Sequence, residues 1–286
     1  MSPEIFTQLF TILGTVPRAG HADVVALPFV YTLLSSKESV QYATAFRAVN
    51  NAARAHGVIR EPEMIMSEFE MAIIKASKEE FPHVAIFLCF FHLKQSMYRK
   101  IQEKGLQVAY NDENDRTVKE FTHKLAALAF VSICDVTEAF AALKQTTPAA
   151  MREYLDYFDA TYVNGTPARG RRRPLSPRYA VHLWNQYDPT CEGKAKTNNV
   201  SESWHNRFRL LVNRAHPDLY IFIKELKKEQ GDTEIAVVEL SLGRKIKAAP
   251  KKNWVDIQDR LKTVVNNYEN YETYLEYWSI WKPLEN

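Results

Sequence analysis

Cysteine is scarce: Cys89, Cys134 and Cys191 are the three in 286 residues, an odd number at wide spacing. No disulfide framework can be drawn from them, and a reducing compartment is expected. Glycine and proline are sparse as well, 9 and 13 in number, which excludes collagen-like and linker-type low-complexity chains. The longest uninterrupted apolar run is Val84 to Phe91, far short of the roughly 20 residues that cross a bilayer. The N-terminal MSPEIFTQ has no basic segment followed by an apolar stretch, so secretion is not expected. A GxSxG elbow and a glycine-rich phosphate loop are both absent, and with them any sign of a hydrolase serine or a nucleotide cradle. Neither a membrane nor a small-molecule cofactor is expected as a partner.

What is present is an ordinary globular composition, 46% hydrophobic and 25% charged, enough for one large or two small domains. The net charge of +3 hides a gradient. Residues 164–214 hold ten Lys/Arg against three Asp/Glu, while residues 111–163 hold five against nine. The basic block contains Arg169, Arg171, Arg172, Arg173 and Arg178. Such a cluster can pair with phosphates or with an acidic partner, and it can equally be a solvated loop.

Hydrophobic patterning predicts an α/β first part. Ile5 to Leu13 and Val24 to Leu34 are rich in β-branched and aromatic residues, with GTVPRAGHAD as the turn between them. A helix is predicted from Ser39 to His56, a short strand from Met64 to Met66, and a helix from Glu68 to about Phe81. Val84 to Phe91 reads as a strand covered on both faces, leading into a helix over Leu93 to Lys104. Beyond Tyr110 the amphipathic stretches 117–131, 135–145 and 148–163 are helical in period. Residues 164–199 are punctuated by Pro and Gly, with Trp184 and Tyr187 as expected anchors. Helices then resume from Val200 to Val212, over Asp218 to Gln230 and over Trp254 to Trp278. The expected division is an α/β part over 1–110, a helical insertion with the basic loop over 111–195, and a helical region over 196–286.

Three short stretches could carry chemistry. In MIMSEFEMAII, Glu68 and Glu70 stand where a strand hands over to a helix, the usual place for sites in α/β sheets. Ser67 and Glu70 also have the spacing of a capping box, which accounts for the acids structurally. In TNNVSESWH, Glu202 and His205 share a helix face, although Asn199 and Glu202 again fit a cap pattern. In CFFH, Cys89 and His92 have the spacing of half a zinc site, or of a buried thiol beside a histidine that lines the next helix.

Taken together, these stretches resemble the Mutator-like element (MULE) transposase domain. The likeness runs through IFTQLFTILG, ALPFVYTLLSSKESVQY, MIMSEFEMAIIKASKEEFP, FLCFFHLKQSMYRKIQEKGL, LWNQYD, KTNNVSESWHNRF and HPDLYIFIKELKKEQ, in the family's order. It implies an RNase H-like mixed sheet flanked by helices, with a helical insertion and a helical C-terminal region. It also implies enzymes that cut and transfer DNA strands with two divalent metals, Mg²⁺ or Mn²⁺, held by an Asp, Asp, Glu triad. Metals about 4 Å apart need shared carboxylates to hold them, and together they stabilise the attacking and the leaving oxygen.

Position by position, the resemblance puts the family's second Asp, from its T-D-F-E motif, on Glu68 and its final Glu on Glu202. Its CxxH falls on Cys89 and His92, and Asn198, Asn199 and His205 lie near Glu202. Two departures stand out. The family's first Asp belongs to a strand just before the stretch matching Ile5 to Ile12, so that strand is expected to be missing here. Glu in place of Asp at position 68 lengthens the arm by a methylene, at a kind of site where a displacement of about 1 Å can cost on the order of a hundredfold in rate. Asp23 is no substitute, since it lies in a turn. The expectation is therefore a transposase-derived chain with an incomplete triad, acting on DNA in the nucleus or otherwise located in the cytoplasm. The alternative is a domesticated DNA- or protein-binding module without catalysis. Arg169, Arg171, Arg172, Arg173 and Arg178 are the expected DNA-contacting residues, RGRRRP doubling as a short match to a nuclear import signal. Zinc at Cys89 and His92 and association into homo-oligomers remain open.

Overall fold

The computed structural model describes residues 2–59, 61–170, 173–193, 199–214, 216–246, 252–271 and 273–280. In chain order it forms β1 (Gln8–Pro17), β2 (Val24–Leu34), α1 (Ser39–Ala55), β3 (Met64–Ser67), α2 (Met71–Glu80), β4 (Ala85–Leu88) and α3 (Phe90–Glu103). The longer helices that follow are α4 (Thr117–Ala127), α5 (Val136–Gln145), α6 (Arg152–Phe158), α7 (Asn199–Val212), α8 (Leu219–Ser241), α9 (Lys252–Asn266) and α10 (Tyr274–Ile280). The chain is α/β, as its patterning predicts. The strands form two two-stranded sheets, β1–β2 and β3–β4.

Contacts divide the chain into two interleaved units. The first comprises Met1–Ile65, Glu70–Ala85 and Asn198–Pro250, and the second Met66–Phe69, Ile86–Thr197 and Lys251–Asn286. In the first unit β1 and β2 are antiparallel, Leu9 facing Leu33 and Phe10 facing Thr32. Side chains alternate across the pleat. Phe10, Ile12 and Leu34 pack with Tyr42, Ala43 and Phe46 of α1 and Ile73 and Ala76 of α2. Leu9, Tyr31 and Leu33, on the opposite face, pack with Trp204, Phe208 and Val212 of α7 and Phe222 of α8. Covering on both faces explains why the strand sequences are apolar without strict alternation.

β1 begins later than its sequence predicts and continues through Gly14, the first residue of the predicted turn. The ladder survives there because a register irregularity at Ile12/Leu13 skips Phe29, and only glycine lets the Phe29 ring come within 3.0 Å of where a Cβ would stand. In the second unit the core is aromatic: Tyr154, Phe158, Tyr162 and Trp184 are buried, and the Trp184 indole donates to the carbonyls of Tyr162 (3.0 Å) and Tyr179 (3.1 Å). Trp184 is thus an anchor of the Pro/Gly-punctuated stretch.

Three local expectations change. Ser67 and Glu70 do not make a capping box: the Ser67 hydroxyl donates to the Glu68 carbonyl at 3.2 Å, and α2 starts at Met71 with Glu70 as an N-cap that makes no side-chain bond to the helix. The strand expected over Val84 to Phe91 is only Ala85–Leu88, because Phe90 and Phe91 already belong to α3. The helix expected over Trp254 to Trp278 is broken between α9 and α10. There Tyr268 packs against Tyr187 and Tyr277, and its hydroxyl donates to Asp135 at 3.0 Å. In the opposite sense α8 runs on past Gln230 through Gly231 to Ser241, a glycine interruption that costs a helix only about 1 kcal/mol.

Candidate functional site

β3 and β4 are linked through α2, and their hydrogen bonds advance in step: Ala85 N–H donates to Glu63 (3.0 Å) and Cys89 N–H to Ser67 (2.9 Å). That pattern makes the strands parallel, so their carboxyl ends lie together. Glu68 follows one strand. Cys89 follows the other as the N-cap of α3, and His92 stands in that helix's first turn. His92 Nε2 lies 3.6 Å from Glu68 Oε1, with the His92 side chain 14% and the Glu68 side chain 55% exposed. This is ion-pairing range if the imidazole is protonated, and too long for a hydrogen bond. Ligand atoms of Cys89 and His92 lie within 4.8 Å of one another, and the Cys89 side chain is buried.

The turns bearing these residues are held through their backbones. Tyr179 donates its hydroxyl to the Phe69 carbonyl at 2.7 Å, and its ring meets the Phe69 ring at 5.0 Å. Buried Gln186 donates its amide to the Leu88 carbonyl at 3.0 Å, the residue before Cys89. The second acid of the motif goes elsewhere: Glu70 Oε1 accepts from the Tyr42 hydroxyl at 2.6 Å, within the first unit. Of the two carboxylates, Glu68 is therefore the one presented beside the CxxH turn.

Glu202 and His205 lie on α7 in the first unit, both half-buried. Asn199 is the first residue of that helix and Asn198 lies outside the described residues. The rotation of α7 is set from its other flank. Trp204 Nε1 donates to Glu229 Oε2 of α8 at 2.7 Å, Arg207 also bonds that oxygen, and Trp204 stacks on Phe208 at 5.1 Å. Glu229 is 2% exposed; a buried carboxylate is tolerated when charge-assisted donors satisfy it.

The basic block projects from the second unit. Thr166 and Leu175 exchange backbone hydrogen bonds of 2.8 and 2.9 Å, closing a loop that carries Arg169 and Arg173. Gly165 makes that closure possible at φ +80°, where a Cβ would meet the Leu175 carbonyl oxygen at 2.1 Å. Arg169, Arg173 and Arg178 are exposed, and the Arg178 guanidinium lies 5.5 Å from the Tyr179 ring centre. Arg171 and Arg172 fall outside the described residues.

Strand-end acid, CxxH turn and two-faced hairpin all lie in one continuous part of the chain, and that part has a recognised counterpart. Residues 4–96 match the MULE transposase domain. The matched MULE segment contains Glu68, Cys89 and His92, whereas Glu202 and the arginine loop lie beyond it. No curated protein and no solved structure matches the chain. Among the described residues no helix is long and apolar enough to cross a membrane.

MULE enzymes as a class depend on metals. The donors that stand together at the β3–β4 ends are the His92 imidazole and the Cys89 thiol, with the Glu68 carboxylate 3.6 Å from the imidazole. Nitrogen and sulfur donors suit zinc, while Mg²⁺ selects oxygen, so this set does not fit a two-Mg²⁺ centre. Tyr42, Tyr179, Gln186 and Glu229, which aim or release the candidate acids, have no local signature. Only the paired amides in LWNQYD, flanked by aromatics, hint that a buried polar side chain is needed there.

Proposed function

We propose that this chain is a MULE transposase derivative that engages DNA, with Glu68 and Glu202 at the positions that descend from metal-binding acids. The observation that carries the reading is Glu68, at the carboxyl end of β3 and 3.6 Å from His92, inside the segment that matches the MULE domain. An RNase H-like fold is part of this reading; the described strands form two separate pairs, one antiparallel and one parallel. The exposed Arg169, Arg173 and Arg178 would meet phosphates, Arg171 and Arg172 adding to the same stretch of sequence. The proposed place of action is the nucleus. Catalysis needs a further acid, and reading the transcript upstream of Met1 tests for one: an in-frame Asp-Gly-Thr would complete the triad and justify a metal-dependent strand-transfer assay. A stop codon or unrelated sequence there leaves DNA engagement without strand transfer. For engagement itself the assay is binding of duplex DNA in EDTA over a salt series; no affinity at low salt would overturn the reading.

The closeness of the Cys89 and His92 ligand atoms favours a second reading, a non-catalytic binding module whose strand-to-helix turn is tied by zinc. Metal analysis of the purified chain should then give stoichiometric zinc that Cys89→Ser removes. A metal-free, folded protein would discard this version.

A further inference from the structure

Four hydroxyls in the chain stand directly before a proline: Ser2, Thr147, Thr166 and Ser176. Proline has no N–H and holds the residue before it extended, so such a pair suits a protein kinase whose cleft offers the next residue's N–H no acceptor. The fold divides the four. Ser2 is 4% exposed, and its hydroxyl donates to the Phe6 carbonyl at 2.9 Å. Thr147, just past α5, donates to the Lys144 carbonyl at 2.8 Å. Thr166 and Ser176 are exposed, and among the described residues neither hydroxyl makes a hydrogen bond.

Both belong to the arginine loop. The backbone pair of Thr166 and Leu175 closes it, so Thr166 stands on one limb and Ser176 on the other. The limb Thr166-Pro167-Ala168-Arg169 is exposed at every residue and ends on a guanidinium three places after the hydroxyl. Ser176 has Arg173 three places before it and Arg178 two places after it. Residues 164–178 contain five arginines and no acid, so a phosphate placed on either limb meets guanidinium groups and no like charge from the loop.

We infer that Thr166 and Ser176 are phosphorylation sites for a proline-directed kinase, and that the phosphates release the loop from DNA. The release rests on the DNA-engaging reading above; the sites themselves do not. In the reaction the side-chain oxygen attacks the γ-phosphorus of ATP, the bond from that phosphorus to the β,γ-bridging oxygen breaks, the hydroxyl proton passes to the kinase's base and ADP leaves. Each phosphomonoester carries about −1.5 to −2 charge at neutral pH, so two of them offset about three to four of the loop's arginines. Guanidinium groups that would pair with DNA backbone phosphates are then taken by phosphates of the chain itself.

The test treats the whole chain with ATP, Mg²⁺ and a purified cyclin-dependent kinase and maps phosphate by peptide mass spectrometry. Binding of a random-sequence duplex is then followed by fluorescence anisotropy in EDTA across a salt series. Phosphate should appear on Thr166 and Ser176 and not on Ser2 or Thr147. The doubly phosphorylated chain should bind about tenfold or more weakly at low salt, with the slope of log K against log salt reduced by about three. The double variant Thr166→Ala, Ser176→Ala should take up no phosphate and bind, after the same treatment, like the untreated wild type. A wild-type chain that takes up no phosphate at either residue overturns the sites and leaves the DNA-engaging reading standing. Phosphate at both residues with unchanged affinity and slope overturns the release from DNA. An untreated chain that binds no duplex at low salt overturns the DNA-engaging reading and the release together, while the phosphate map still decides the sites.

Discussion

The two units aim their candidate acids by opposite means. In the second unit Glu68 sits on a short turn whose backbone is gripped from outside, by the Tyr179 hydroxyl on the Phe69 carbonyl and by Gln186 on the Leu88 carbonyl. In the first unit Glu202 rides on a regular helix that needs no help with its backbone, and a side chain, Glu229, fixes how that helix is rotated. The difference follows from the elements. A four-residue strand leaves the groups at its end unpaired, so other parts of the chain must satisfy them. A fourteen-residue helix satisfies its own backbone and leaves only its roll to be set.

The comparison can be broken most forcefully at the packing that underlies it. Phe208→Ala in the first unit and Phe158→Ala in the second each remove a fully buried ring and should each cost about 3–5 kcal/mol, read from the midpoint of urea unfolding. A loss under about 1 kcal/mol in either would mean that the ring does not anchor its unit.

High pH should separate the units. Burial pushes the hydroxyls of Tyr154 and Tyr162 in the second unit well above their ordinary value of 10.0, and raises that of half-buried Tyr31 in the first unit as well. A phenol held neutral by the fold contributes stability below pH 10 that is lost as the unfolded chain ionises above it. Near-ultraviolet circular dichroism should therefore fall steeply above pH 10, and Tyr162→Phe should move that loss to higher pH. An unchanged alkaline limb would assign it to other groups.

The backbone grip is tested by Gln186→Leu, which leaves the Leu88 carbonyl without its donor and should cost about 1–3 kcal/mol. Tyr179→Phe loses a hydrogen bond while keeping the ring, at about 1 kcal/mol. If neither substitution lowers the unfolding midpoint, the turn at Glu68 holds itself. The smallest effect is expected at Lys94 in α3, whose amine burial pushes below its usual value. Its charged form is disfavoured in the fold, so the cost is present at neutral pH and disappears as pH rises past the ordinary lysine value. Lys94→Met should raise stability at pH 7 by no more than about 1 kcal/mol, with the advantage shrinking in alkali. A pH-independent gain would point to packing instead.

Much of the chain was legible locally. β2 and the start of α1 are where periodicity places them, since apolar pattern and turn residues act within a few positions. The same local logic misread Ser67 and Glu70 as a capping box, because a box and a strand-end acid share a spacing and only the Tyr42 hydroxyl, 28 residues away, decides which way Glu70 points. The strand-to-helix boundary at CFFH lies three residues earlier than the pattern predicts for a related reason: an apolar run does not say where strand pairing stops, and here it stops once Cys89 N–H has bonded to Ser67.

By itself the sequence determined the α/β character, the motif order that resembles a MULE domain, and the identities of Glu68, Cys89, His92 and Glu202. Those depend on composition and on neighbours along the chain. Which acid faces His92, how α7 is rotated, and which arginines already have carboxylate partners were decided by tertiary structure alone. They depend on contacts such as Glu68 with His92 and Arg207 with Glu229, between residues more than twenty positions apart, whose partners meet only once the chain has folded.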